Sequence, residues 1–200
     1  MPETQPSVIV LAGPNGAGKS TAAPRMLRGT LTVTEFVNAD TIAQGLSAFS
    51  PENLAVAAGR IMLNRLHELA AAREDFAFET TLASRSFAAW FRDLIGQGYD
   101  FHLVFLWLPS AEMAISRVAK RVQLGGHFVP DETVRRRYVA GLRNFFRLYQ
   151  PIASSWRFYD NSKESGRRLI AHGGSTRETR VSRPRLWNRL KREYANDRST

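Results

Sequence analysis

The stretch LAGPNGAGKST, residues 11–21, overlaps an apolar run, SVIVLA (7–12), and places Gly13, Gly18, Lys19 and Ser20 in the spacing G-x-x-x-x-G-K-[ST]. Those four fixed positions arise by chance in about one sequence in a hundred of this length at ordinary residue frequencies. The context the motif needs, a strand before and a helix after, is present as well. Each residue type has a physical reason to be there. Glycines let backbone N–H groups converge on phosphate oxygens without a Cβ in the way, and the positive end of the following helix adds to the field. Gly13, Pro14, Asn15, Gly16, Ala17, Gly18, Lys19, Ser20 and Thr21 are therefore the expected cradle of a nucleoside triphosphate, with Lys19 bridging its β- and γ-phosphates and the Ser20 hydroxyl on Mg²⁺. No guanine-reading Asn-Lys-x-Asp accompanies the loop, so the nucleotide expected is ATP.

The loop also sets the fold class, because the rest of the chain alternates in the same way. Short β-branched or aromatic segments lie at 7–12, 35–39, 75–80, 101–108 and 156–160. Helical patterns fill 18–28, 51–73, 86–97, 110–123 and 131–149, and a last one runs from about 184 to 196. Ser50 with Pro51, and Pro130 with Asp131 and Glu132, read as helix starts. The alternation predicts an α/β P-loop NTPase fold: a five-stranded, mainly parallel sheet flanked by helices, nucleotide-kinase-like, in one domain over residues 1–200. Two hundred residues at 44% hydrophobic composition suffice for one buried core. No apolar run nears the roughly 20 residues of a membrane span, and the N-terminus lacks a secretion-signal pattern, so no membrane association and a cytoplasmic location are expected. Without cysteine, and with His67, His102, His127 and His172 in no ligand-like spacing, any metal is expected to arrive with the nucleotide.

The net charge of +10 is concentrated at one end: residues 161–200 hold 11 Lys/Arg against 4 Asp/Glu. Such a segment is either a solvated surface or an arm for nucleic acid, and Trp187 and Tyr194 within it supply the aromatic element of the second reading.

A bound triphosphate can drive a motor, set a switch or be transferred. A motor needs an apolar strand ending in an acid near the magnesium, and the most apolar strand here ends FLWLPS. Transfer needs a base and a cationic clamp. Asp40 follows the second strand and Glu79 closes the third, and parallel strands open their C-terminal ends on the edge that carries the phosphate loop. Asp40 is the expected general base, and Glu79 the group that bonds the acceptor or orders a magnesium water. The bland alternatives are a helix cap for Asp40 and a solvated strand end for Glu79. Arginines crowd residues 117–147 around LGGHFVP, whose Gly125 and Gly126 give hinge freedom, so this stretch reads as a lid. Arg121, Arg136 and Arg137 are its expected phosphate contacts, and His127 is a loop residue.

GPNGAGKST, NAD after the second strand, FETTLASR at the third, RVAKRVQLGGHFVP with RRRY, and the late YDNS together resemble the zeta toxin family of P-loop kinases over residues 7–175. The resemblance implies an ATP-dependent phosphotransferase acting on a hydroxyl of a small acceptor such as a UDP-N-acetylamino sugar. It puts the base on Asp40, the substrate-facing acid on Glu79 with Thr80, Thr81 and Arg85 near it, and a catalytic lid arginine on Arg121. A second lid arginine is ambiguous among Arg135, Arg136 and Arg137, and Asn161 falls beside the adenine. An antitoxin protein enters as a partner through the same resemblance. The alternative carried by the basic tail is a nucleic-acid-associated ATP-binding protein or a 5′-end polynucleotide kinase.

Overall fold

The computed structural model describes residues 5–27, 33–46, 54–163 and 166–196. Its elements run β1 (Ser7–Ala12), α1 (Lys19–Met26), β2 (Glu35–Val37), α2 (Ala39–Leu46), α3 (Ala55–Ala71), β3 (Phe76–Thr80), α4 (Phe87–Gly96), β4 (Asp100–Trp107), α5 (Ala111–Gln123), α6 (Asp131–Asn144), β5 (Ser155–Asp160), β6 (Arg168–Gly173), β7 (Arg180–Val181) and α7 (Pro184–Tyr194). The helix start read at Ser50 and Pro51 lies outside the described residues. α6 begins at Asp131 with Pro130 as its cap residue, and its acids Asp131 and Glu132 sit in the first turn.

Among the described residues one sheet carries seven strands in the order β2-β3-β1-β4-β5-β6-β7. The five expected strands are its parallel part, since β1 pairs with β3 and β4, β2 with β3, and β5 with β4, all parallel. β6 and β7 extend it antiparallel beyond β5. These two strands come from the arginine- and glycine-rich segment after residue 160, where charge masks the alternation that marks a strand. The unbroken apolar runs of β1 and β4 are buried along almost their whole length, as strands covered on both faces must be.

α6 continues into a π-helical turn, Phe145–Tyr149, which turns Phe145, Phe146 and Tyr149 inward. There Phe145 meets Phe105 and Phe158, and Trp187 of α7 stacks on Trp156 with centroids 5.4 Å apart. Among the described residues no helix is long and apolar enough to cross a membrane.

Candidate functional site at the phosphate loop

β3 lies directly beside β1, and this adjacency assembles the site. Gly13 leaves β1 at φ +142°, and its N–H donates to the Thr80 carbonyl at 3.2 Å, tying the loop to the end of β3. A Cβ at Gly13 would meet the Leu106 carbonyl oxygen, so no other residue fits. Gly18, in the left-handed region, is the cap residue of α1, which brings the helix N-terminus to the loop. Lys19 is only 8% exposed, and its Nζ donates to Gly13 O at 3.0 Å and Pro14 O at 3.1 Å. Burial pushes this ammonium below its ordinary pKa, and Glu79 and then Asp40 oppose the shift.

Glu79 Oε2 accepts a 2.9 Å hydrogen bond from Ser20 Oγ. The acid of an apolar strand that the sequence reading sought after β4 therefore stands at the end of β3 instead. β1 lies between β3 and β4, and of these two neighbours it is β3, FAFET, whose C-terminal end carries the acid. A hydroxyl and a carboxylate side by side form the all-oxygen donor pair that suits Mg²⁺, whose remaining ligands are commonly phosphates and waters. No cluster of three or more His, Cys, Asp or Glu side chains able to hold a metal occurs among the described residues.

Asp40 sits in the first turn of α2, but Asn38 is the cap: its Oδ1 accepts from Asp40 N at 2.7 Å and from Thr41 N at 3.3 Å. Asp40 is thereby released from capping and lines a crevice of about 350 Å³ together with Lys19, Ser20 and Glu79. Thr80 and Thr81 line it too. The chain behind them passes through Leu82, buried at φ +56°, and is held from α6 and its extension. Asn144 Nδ2 donates to Leu82 O at 2.7 Å, Tyr149 OH donates to Ser84 O at 2.6 Å, and Gly141 leaves room for the Thr81 carbonyl.

Three arginines close the crevice: Arg117, Arg121 and Arg137. Arg121 Nη1 lies 3.8 Å from Asp40 Oδ2, and its Nη2 donates to His127 O at 2.7 Å, while its buried Nε has no partner. His127 thus contributes a backbone carbonyl from its loop. Arg137 is held below its ordinary pKa by burial and, second, by Arg136. Arg117 was not singled out from sequence, yet its guanidinium donates to Asn161 O at 2.9 Å and Ser162 O at 2.7 Å, joining α5 to the chain after β5. Its spacing of four from Arg121 was the available signal.

The other arginines of the expected set lie outside the crevice. Arg85 and Arg136 line a separate groove between the β3–α4 loop and α6, and Arg135 faces Glu112 at 3.5 Å. Of the three consecutive arginines only Arg137 faces the crevice, because neighbours on a helix point about 100° apart. Asn161 lies behind the phosphate loop, donating from Nδ2 to Ala17 O at 2.7 Å. Residues 117–147, read as a lid, run from α5 through the connection 124–130 to α6 and its extension. Val118, Val134, Tyr138 and Leu142 anchor α5 and α6 in the core, and Val129 anchors the connection 124–130 between them, in which Leu124 and Phe128 are exposed.

A family model described as an AAA domain (AAA_33) matches residues 8–144, from β1 to the end of α6. The chain belongs to this AAA domain family. The matched span holds every crevice residue named above and leaves β5, β6, β7 and α7 outside. An uncharacterized protein of Haemophilus influenzae is 28% identical to this AAA domain chain over 134 residues, covering 67% of the chain and 94% of that protein. Among solved structures, AvrRxo1-ORF1:-ORF2 with ATP has a TM-score of 0.74 at 16% identity, over 99% of this chain and 67% of its own. The PezAT chromosomal toxin-antitoxin system of Streptococcus pneumoniae has a TM-score of 0.65 at 16% identity, over 99% of this chain and 82% of its own. The fold of this AAA domain is that of the zeta-toxin-like P-loop kinases.

Proposed function

We propose that the protein is an ATP-dependent phosphotransferase of zeta-toxin type, which moves the γ-phosphoryl group to a hydroxyl of a small phosphorylated acceptor such as a UDP-N-acetylamino sugar. One observation carries this reading: Asp40 and Glu79 face the same crevice as Lys19. A strand-end acid beside Ser20 serves an ATPase as well as a kinase, so Glu79 alone does not separate them. Asp40, the second carboxylate, supplies the base that transfer to an alcohol needs for the acceptor proton.

In the step so assigned, the acceptor oxygen attacks the γ-phosphorus and its proton passes to the Asp40 carboxylate. The bond from that phosphorus to the β–γ bridging oxygen breaks, and ADP departs. Lys19 exchanges its two carbonyl partners for phosphate oxygens, and Arg121 and Arg137 offset the charge that spreads over the transferring group. Ser20 and Glu79 would hold Mg²⁺, which supplies further charge neutralisation when bound. Asn161, which the resemblance puts beside the adenine, bonds the phosphate loop at Ala17 O and accepts from Arg117. A protein partner of antitoxin type is part of this reading, in view of the toxin-antitoxin system among the structural neighbours.

The polynucleotide alternative loses one of its two supports. Trp187 and Tyr194 are 3% and 7% exposed, so neither is available to stack on a base. Asp40→Asn is expected to lower phosphoryl transfer to a UDP-N-acetylamino sugar by about 10²–10⁴-fold while ATP affinity stays within about twofold. Turnover equal to the parent enzyme removes Asp40 as the base.

A further inference from the structure

α5 ends in a turn built on two glycines. Gly125 takes φ +83°, its N–H donates to Val122 O at 2.9 Å, and the Gly126 N–H donates to Arg121 O at 2.9 Å. This pair of bonds is the Schellman stop, in which a left-handed residue, here Gly125, reverses the chain and the residue after it bonds back to the third position from the helix end. Arg121 holds that third position, so the turn folds back over its side chain.

An apolar contact commonly joins the two residues that share the longer bond. Here one of them is Gly126 and the other an arginine. A Cβ at Gly126 would stand 2.5 Å from Arg121 Cγ, 3.1 Å from Cδ and 2.9 Å from Arg121 O, all inside the optimal carbon separation of about 3.5–4.0 Å. Gly126 is not in the left-handed region, so what its missing side chain supplies is room for the Arg121 stem. One residue on, His127 O accepts from Arg121 Nη2 at 2.7 Å, and Val129, 4% exposed, returns the chain to the core. The guanidinium is thus held along its stem and at one edge. Its Nη1 lies 3.8 Å from Asp40 Oδ2, too far for a hydrogen bond, and stays open to a phosphate oxygen beside that carboxylate.

We propose that Gly126 is a positioning residue: the turn 124–127 is a clamp that aims Arg121 at the γ-phosphate before ATP arrives, and not a hinge that delivers it. The proposal rests on the transferase reading in taking ATP as the ligand and Arg121 as a contact of its last phosphate. A guanidinium set in advance stabilises the transferring charge without reorganising at the moment of reaction.

Affinities for ADP and for a non-hydrolysable ATP analogue are measured by calorimetry, with Mg²⁺ present, in the parent, Gly126→Ala, Arg121→Ala and the double variant. In Gly126→Ala the preference for the analogue over ADP should fall about tenfold, the worth of one charge-assisted hydrogen bond, with ADP affinity within about twofold of the parent. Arg121→Ala should lose as much, and adding Gly126→Ala to it should change nothing further, because the stem that the new methyl group meets is gone. An unchanged preference in Gly126→Ala, or an equal further loss in the Arg121→Ala background, overturns the proposal. An unchanged preference in Arg121→Ala overturns it too, and leaves Asp40 standing as the base. Where Gly126→Ala binds neither nucleotide, ADP binding restored in the double variant puts the clash on the Arg121 stem and supports the proposal, and no restoration rejects it. No acceptor enters the measurement, so its outcome is separate from that of the Asp40→Asn transfer assay.

Discussion

Tyr138 and Tyr149 show how single buried groups couple the site to its surroundings. Tyr138 OH donates to Leu108 O at 2.7 Å, Tyr149 OH donates to Ser84 O at 2.6 Å, and burial pushes both phenols up to about 12. A phenol whose pKa is raised on folding contributes stability in full below its unfolded value near 10 and loses it as pH rises toward the folded value. Lys19 has the opposite sign: with its pKa lowered by burial, stability rises with pH up to its ordinary value near 10.5 and is flat beyond. The alkaline loss belongs to the tyrosines. Denaturant melts between pH 10 and 12 are expected to show stability falling steeply, with a shallower fall in Tyr138→Phe/Tyr149→Phe. Identical slopes would place the loss in other groups. Neither tyrosine was legible as a site support from sequence, because its partner carbonyl lies at least 30 residues away along the chain.

Among the elements, α2 is the short helix on which the assigned base depends. Three of its features are local: it follows a strand, it starts at Ala39, and Asn38 caps it. NADT offers Asp40 as a base or as a cap, and the cap is Asn38, which leaves the Asp40 carboxylate facing the crevice. Loss of a cap costs about 1 kcal/mol and loosens the turn that aims the carboxylate. Asn38→Ala is therefore expected to lower kcat at least tenfold with ATP affinity nearly unchanged, and Asn38→Asp, which keeps an oxygen acceptor at the same place, to restore most of it. Equal kcat in parent and Asn38→Ala would show that α2 holds Asp40 without its cap. On the other side of the crevice, α6 supplies Arg137 and the support of the β3–α4 loop at once, which is why its helical pattern alone did not reveal which of three arginines points inward.

For the molecule as a whole, the basic segment after residue 160 is structural as well as charged. β6 and β7 complete the sheet, Arg183 Nη1 pairs with the buried Asp160 at 3.0 Å, and α7 turns Trp187, Leu190 and Tyr194 into the core with its arginines outward. Side chains of that size stabilise by about 1.5–3 kcal/mol each when buried, so removing residues 184–200 is expected to give a protein that aggregates or melts well below the parent. Reversing the exposed charges in Arg185→Glu/Arg192→Glu should shift Tm by only a few degrees. A truncated chain with the parent's Tm would show α7 to be dispensable.

The phosphate loop, the strand–helix alternation and the two acids could be read from the chain, because each depends on spacing over a few residues and on the periodicities of helix and strand. Which strand lies beside the loop, which of three arginines turns inward and where the tail's aromatics go depend on contacts between residues far apart along the chain. Local pattern carries no trace of these, and packing settles them.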